Sequence, residues 1–370
     1  MLKHTDLTLG RIGSFIKYEL EEKLIVARSP MSIEYCDVAH PTEKDASRGP
    51  WVSIEPGFRY GPAYRTVWFR LAGTVPKHFE SYEVGAMLPV GGERTVWRNN
   101  SPWQGVDGFH EICPLYNAAT GGEKVKLLVQ AYTGNPQCRV HRAELPREEL
   151  VETVAQAELV AFDRELANLY YDMEFGYDLV KAMDQKDPAF SVLLRSLNEV
   201  CNTYVSQNSD SVSRCRKLVR DAMAAIPGEV RHTVVPVGHA HLDTAWLWPL
   251  EITRKKMAHT TANQLRLMEK YPEHVFVHSQ ASQYEWLEQE YPALFKDVKA
   301  AIQKGQWEPV GSMWVEADCN LTGSESMVRQ FLYGLRYFKD KLGYTTEDMW
   351  LPDVFGYCAA LPQILAKFNI

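Results

Sequence analysis

The chain reads as an α/β protein in three parts: a β-sandwich-like module over residues 1–145, a helical connector over 146–228, and an alternating strand–helix region over 229–370. Three observations carry that reading. The early text is rich in short β-branched and aromatic runs broken by Gly/Pro joints. The middle follows helical spacing. After Gly228 strands and helices alternate, which gives a parallel sheet, open or closed into a barrel.

In the first part, Tyr64–Leu71 and Lys124–Ala131 have strand length and composition. Gly91-Gly92, between Ala86–Val90 and Glu93–Arg98, predicts a two-residue hairpin turn. Trp51, Trp68, Trp97 and Trp103 are read as core filling rather than as sugar platforms.

In the second part, Leu150, Val151, Val154, Leu159, Phe162, Leu166 and Leu169 follow helical spacing, with Pro146 near the start and Glu148-Glu149 in the first turn. Asp187-Pro188 opens a second helix, and a third runs from Val212 to Ile226 before Pro227-Gly228.

In the third part, strand-like runs end at His239, at Val275–Ser279, at Trp307–Gly311 and at Asp348–Asp353. Helices are predicted between them over Ile252–Lys270, Tyr284–Lys304 and Ser324–Leu342. In such folds chemistry gathers where strands end. All four predicted ends carry polar, catalytically capable residues, and Asp243, Glu316, Asp318 and Asp353 are among them.

Composition narrows the partners. The 370 residues carry a net charge of -7 with scattered basic residues, so no electrostatic footprint for nucleic acid or an anionic membrane appears. No window approaches membrane-spanning length and the N-terminus lacks an apolar leader, which reads as a cytoplasmic protein. Seven cysteines without a C-x-x-C pair argue against a disulfide framework or a thiolate metal site.

The densest chemistry lies in Val237–Pro249. His239, His241 and Asp243 are spaced by two, so in extended chain they share a face. Two imidazoles and a carboxylate suit zinc, and other divalent metals as well. Taken singly, each polar residue has a plain structural use: Asp243 could cap a helix, and Glu316 or Asp318 could solvate a loop. Taken together they make a carboxylate-rich metal pocket.

Three blocks in order, Val237–Pro249, Trp314–Ser326 and Trp350–Tyr357, resemble the family 38 α-mannosidases of the cytosolic and fungal vacuolar type. The resemblance implies a (β/α) barrel catalytic domain, of which this chain holds the first half, and a Zn²⁺ cofactor. It puts zinc ligation on His241 and Asp243, and on Asp353 both the nucleophile's role and a contact with the metal. It makes Trp246 the sugar platform, lets Asp318 hold a substrate hydroxyl, and leaves His239 behind the ligands. The implied reaction is retaining hydrolysis of terminal α-linked mannose from oligosaccharides through a glycosyl-aspartate intermediate. A retaining enzyme needs a carboxylate nucleophile and a carboxyl acid roughly 5 Å apart.

A further zinc-binding His and the general acid come later in such relatives. The text stops inside an amphipathic helix after four strand–helix units, whereas a closed barrel takes about 250 residues. The expectation is therefore a fragment, inactive alone, of a parent that could be a homo-oligomer. Fungal relatives work in the vacuole without a signal peptide, which keeps that compartment as an alternative. Two other functions stand beside this one: an amidohydrolase-type enzyme whose metal activates water, and a non-catalytic carbohydrate-binding fragment.

Overall fold

The structure is a computed structural model that describes residues 4–37, 46, 48–133, 151–226, 228 and 232–370. Its first body is a sandwich of two antiparallel sheets. The strands are β1 (Ile25–Pro30), β2 (Ser32–Cys36), β3 (Val52–Ser53), β4 (Arg59–Tyr60), β5 (Thr66–Thr74), β6 (Glu83–Met87), β7 (Glu93–Arg98), β8 (Ser101–Val106), β9 (Ile112–Tyr116), β10 (Lys124–Tyr132), β11 (Glu152–Thr153) and β12 (Glu158–Phe162). One sheet has the order β1-β12-β6-β9 and the other β3-β2-β5-β10-β7-β8, while β11 and β4 form a short ribbon. β5 and β10 pair without a slip from Lys124↔Thr74 to Tyr132↔Thr66. Val67, Phe69, Leu71, Val84, Val96, Val129 and Leu159 fill the space between the sheets.

Two predicted features of this body come out differently. Residues 154–162 are not helical: β12 is hydrogen-bonded on both sides, to β1 and β6. A strand buried on both faces presents a continuous apolar run, which periodicity cannot separate from a buried helix. The predicted helix start at Pro146 and Glu148-Glu149 lies outside the described residues. Gly91-Gly92 is not a hairpin either, because β6 and β7 belong to different sheets. Both glycines do adopt positive φ, and a Cβ at Gly92 would stand 2.0 Å from the Tyr132 carbonyl oxygen. Glycine is needed there for close approach as the chain crosses between sheets. The two-residue hairpin is Asn99-Asn100, both at positive φ, joining β7 to β8 with Arg98 opposite Ser101.

The four aromatic candidates sit as packing residues. Trp68 is fully buried, Trp51 and Trp97 pack around it, and Trp103 lies against the sandwich core.

The second body is helical: α2 (Arg164–Ala182), α3 (Pro188–Thr203) and α4 (Ser209–Ala224). Asp163, Asp187 and Asn208 each cap one of these helices through a side-chain oxygen. The first residues of the chain join this body rather than the sandwich. α1 (Thr5–Phe15) and the turn Ile16–Leu20 put Ile12 and Leu20 among Leu169, Met173, Leu197 and Val219. Arg11 reaches across to Asn198 and Asn202, 2.8 Å each.

The third body is a parallel sheet, β13 (Gly238–His239), β14 (Phe276–His278) and β15 (Trp307–Pro309), with helices between and after the strands. These are α5 (Leu250–Lys270), α6 (Ala281–Glu290), α7 (Pro292–Gln303) and α8 (Ser324–Tyr337). The helix predicted over 284–304 is divided in two, since Pro292 starts a new helix at its first position. The fourth predicted strand, 348–353, has no ladder partner. It is tied beside β15 by side chains instead: the Gly311 amide donates to Asp348 Oδ2 (3.0 Å) and Ser312 Oγ to the Asp348 carbonyl (2.7 Å). The apolar run Val234–Val237 leading into β13 is also not strand, and Val234 and Val235 are more than four-fifths exposed. A final helix, α9 (Leu361–Phe368), packs on Phe331 of α8.

The sandwich braces the third body through β7, β8 and α5. Asn263 Oδ1 accepts the Gly105 amide at 2.9 Å, Lys256 pairs with Glu93, and the Tyr64 hydroxyl donates to the Leu247 carbonyl at 2.6 Å. A Cβ at Gly105 would meet the His259 ring at 2.6 Å, so this contact is at backbone range.

Candidate active site

The site forms at the carboxyl ends of the parallel strands. β13 ends at His239, and the chain then turns through His241 and Asp243. His241, Asp243 and Asp353 have donor atoms within 4.8 Å of one another. Nε2 of His241 is 3.3 Å from Asp243 Oδ1 and 3.7 Å from Asp353 Oδ2. Two carboxylates facing one imidazole nitrogen repel each other by about 1 kcal/mol at 4 Å even in water. A cation between them removes that cost.

The donor set fits zinc. One nitrogen and two oxygens are ligand types it accepts, and atoms each about 2.0–2.2 Å from one ion lie roughly 3–4 Å apart. Exposure is graded: the side chains of His241, Asp243 and Asp353 are 26%, 31% and 58% exposed, so Asp353 stands nearest to solvent.

The loop bearing Asp243 is held by buried amides from the start of α6. Gln283 Nε2 donates to the Leu242 carbonyl (2.7 Å) and Thr244 Oγ1 (2.8 Å), and Gln280 Nε2 donates to the same carbonyl (2.8 Å). From α5, Thr253 Oγ1 donates to the Asp243 carbonyl at 3.1 Å. Asp243 therefore caps no helix; its carboxylate is left for the cluster. Beneath lies His278, fully buried, with Nε2 2.9 Å from Gln283 Oε1. Burial pushes the His278 imidazole down to about 3, so it is neutral at ordinary pH.

Glu316 is the residue that sequence reasoning left without a role. Its Oε2 lies 2.9 Å from Nδ1 of His241, and its Oε1 accepts from Ser279 Oγ. Burial raises its carboxyl above the ordinary range, and the Ser279 hydrogen bond and His241 pull it back. The signal for this support was present in the predicted strand end His278-Ser279-Gln280, all three of which are buried.

The other predicted residues fall around this cluster. His239 accepts from Trp350 Nε1 at 3.1 Å and stays outside the donor group; burial, then the neighbouring His241, lowers its basicity. Trp246 is 64% exposed and meets Trp248 edge to face at 5.9 Å. Trp248 is fixed by its Nε1 donating to Thr253 Oγ1 at 3.0 Å. Asp318 is not in the cluster. Its Oδ1 accepts the amides of Asn320 and Leu321, both at 2.8 Å, and so builds the turn after Ala317.

A parallel sheet with a His/Asp cluster just past its strand ends, joined to a β-sandwich, places chemically capable residues where α/β enzymes hold theirs. Residues 231–370 match the glycosyl hydrolases family 38 N-terminal domain, and residues 28–169 match the alpha-mannosidase jelly roll domain. The chain belongs to glycosyl hydrolase family 38.

It is 31% identical to alpha-mannosidase 2C1 of Homo sapiens over 98% of this chain and 36% of that protein. It is 29% identical to alpha-mannosidase G of Dictyostelium discoideum over 100% of this chain and 36% of that one. With an alpha-mannosidase of Saccharomyces cerevisiae it shares 30% identity over 82% of this chain and 30% of the relative. The chain spans about a third of the length of these curated relatives. No helix among the described residues is long and apolar enough to cross a membrane.

Proposed function

We propose that the protein is a retaining α-mannosidase that removes terminal α-linked mannose from oligosaccharides with a zinc ion held by His241, Asp243 and Asp353. The observation that carries this is the convergence of those three donor groups at the strand ends of a family 38 domain. When bound, zinc supplies orientation and charge stabilisation at the sugar hydroxyls. Asp353, the most exposed of the three, attacks the anomeric carbon as the glycosidic C–O bond breaks and the leaving oxygen takes a proton from a general acid; it then carries the glycosyl group as an ester that water hydrolyses. Trp246 offers its exposed face to the pyranose ring. Asp318, with Oδ1 committed to its own turn, keeps Oδ2 for a substrate hydroxyl.

Among the described residues the remaining carboxyl beside the cluster, Glu316, is engaged with His241 and Ser279, which leaves the general acid unassigned. We read β13–β15 as the opening strands of a (β/α) barrel. The free described cysteines, Cys36, Cys113, Cys201, Cys215, Cys319 and Cys358, suit the reducing cytoplasm.

The test is Asp353→Asn in the intact protein, assayed on an aryl α-mannoside. The expected loss is roughly 10⁴–10⁶-fold in kcat, as for removal of other nucleophiles, with sugar binding retained. Unchanged turnover would remove Asp353 from the nucleophile's role.

A further inference from the structure

We propose that Ser312 is a positioning residue for Asp353: its buried hydroxyl stands in for a missing backbone ladder and fixes how far Asp353 lies from His241 and Asp243. The inference rests on the reading of Asp353 as nucleophile and metal contact. Little main chain holds the segment that bears it. Among the described residues, positions 345–357 make no backbone–backbone hydrogen bond. Met349, Leu351 and Val354 pack on the apolar cluster around Phe331. Such packing holds a chain down without fixing its register, because hydrophobic contact is non-directional. Directional contacts come from side chains at three places. Thr346 and Asp348 meet the Gly311-Ser312 turn, Trp350 meets His239, and the Phe355 carbonyl accepts from Asn320 Nδ2 at 3.3 Å.

Of these, the Ser312–Thr346 contact is buried, whereas Asn320 is exposed and Trp350 partly so. A hydrogen bond in the interior is electrostatically stronger than one in water. A hydroxyl has a single proton. Ser312 Oγ gives its proton to the Asp348 carbonyl at 2.7 Å, so Thr346 Oγ1 is the donor in the 2.5 Å contact with Ser312. One buried oxygen thereby joins both ends of the stretch 346–348, while the Gly311 amide holds the Asp348 carboxylate at 3.0 Å. Ser312 adopts φ +57°, beside Gly311 at +88°. That region suits glycine, so a serine held there is strained backbone that its surroundings must fix. α8 supplies part of the fixing: a Cβ at Gly334 would stand 2.4 Å from the Ser312 carbonyl oxygen. The turn is thus a firm post, and its hydroxyl anchors the segment five residues before Asp353. A misplacement of about 1 Å at a reacting group can cost about 100-fold in rate.

The experiment compares the intact wild-type protein with Ser312→Gly, Thr346→Val and Thr346→Ser. kcat and KM are read on an aryl α-mannoside at saturating zinc, stability from the denaturation midpoint, and the placing of Asp353 from crystals of each variant. Ser312→Gly loses the hydroxyl but relieves the left-handed φ, so its midpoint should stay near that of wild type. Its kcat should nonetheless fall about 10–100-fold with little change in KM. In its crystals Asp353 Oδ2 should depart from its 3.7 Å separation from His241 Nε2. Thr346→Val, which leaves the bond from Ser312 to Asp348, should lower kcat by a few-fold, and Thr346→Ser should keep the wild-type value. Wild-type kcat in Ser312→Gly with Asp353 in place would overturn the proposal, and so would a loss of kcat matched by an equal loss of folded protein. If Asp353→Asn keeps its turnover, the reading of Asp353 fails instead, and the placing of residues 346–353 in Ser312→Gly crystals still decides whether Ser312 sets it.

Discussion

The sandwich and the strand-end site solve the same problem, holding extended chain in place, by different means. In the sandwich the backbone does it: β5 and β10 exchange hydrogen bonds along nine paired residues, and Val67, Phe69 and Val129 are packed beneath them. At the site the parallel strands are two or three residues long, and past their ends side chains take over. Gln280, Gln283 and Ser312 donate to backbone carbonyls that a ladder partner would otherwise satisfy. A residue held in a flat ladder directs its side chain out of the sheet, alternately to either face, rather than toward a neighbouring strand's end. Leaving the ladder is what lets His241, Asp243 and Asp353 meet, and buried amides then satisfy the backbone that was freed.

The contrast can be broken from either side. Phe69→Ala, in the sandwich core, should lower unfolding free energy by about 3–5 kcal/mol in a denaturant titration. If the bodies are as distinct as their cores suggest, zinc affinity in the folded protein should not change. Gln283→Ala should cost about 1–3 kcal/mol, because it strands the buried His278 Nε2 and removes one of the two donors to the Leu242 carbonyl. In this variant zinc affinity should fall, and an unchanged affinity would show that the amide supports the fold alone.

His278 sharpens the comparison through pH. Its folded-state value, about 3, lies below the unfolded one, 6.5, so the unfolded chain binds more protons between them. Its contribution to stability is complete above about pH 6.5 and is lost as pH falls toward 3. Denaturation curves from pH 6.5 to 5 should steepen toward ~1.4 kcal/mol per pH unit, and His278→Gln should flatten them. The smallest effect is expected at the seam. Asn263→Ala removes the acceptor for the Gly105 amide and should cost about 1 kcal/mol, read as a modest shift in midpoint.

Legibility in the sequence followed the length and periodicity of each segment. α5 and α8 were predicted nearly to their ends, because long amphipathic stretches announce their period. β12 was misread as helix because a central strand has no polar face to alternate with. Gly91-Gly92 looked like a hairpin because positive φ is local, whereas membership of a sheet is not. At the site, residue types and spacing offered His239, His241, Asp243, Glu316, Asp318 and Asp353, the family resemblance pointed to His241, Asp243 and Asp353, and the chain brings the donor atoms of those three together. The alternation argument for His239 did not carry through, since β13 ends there and its ring turns to Trp350.

What the sequence by itself determined is the set of chemically capable residues and their order: two imidazoles and a carboxylate after one apolar run, and a further carboxylate more than a hundred residues later. Tertiary structure alone decided which nitrogen of His241 faces the carboxylates, and that Glu316, 75 positions away, takes the other. The physical reason is range. Side-chain type and local period are written within a few residues, but the direction of an imidazole is set by hydrogen-bond partners that only folding brings to 3 Å.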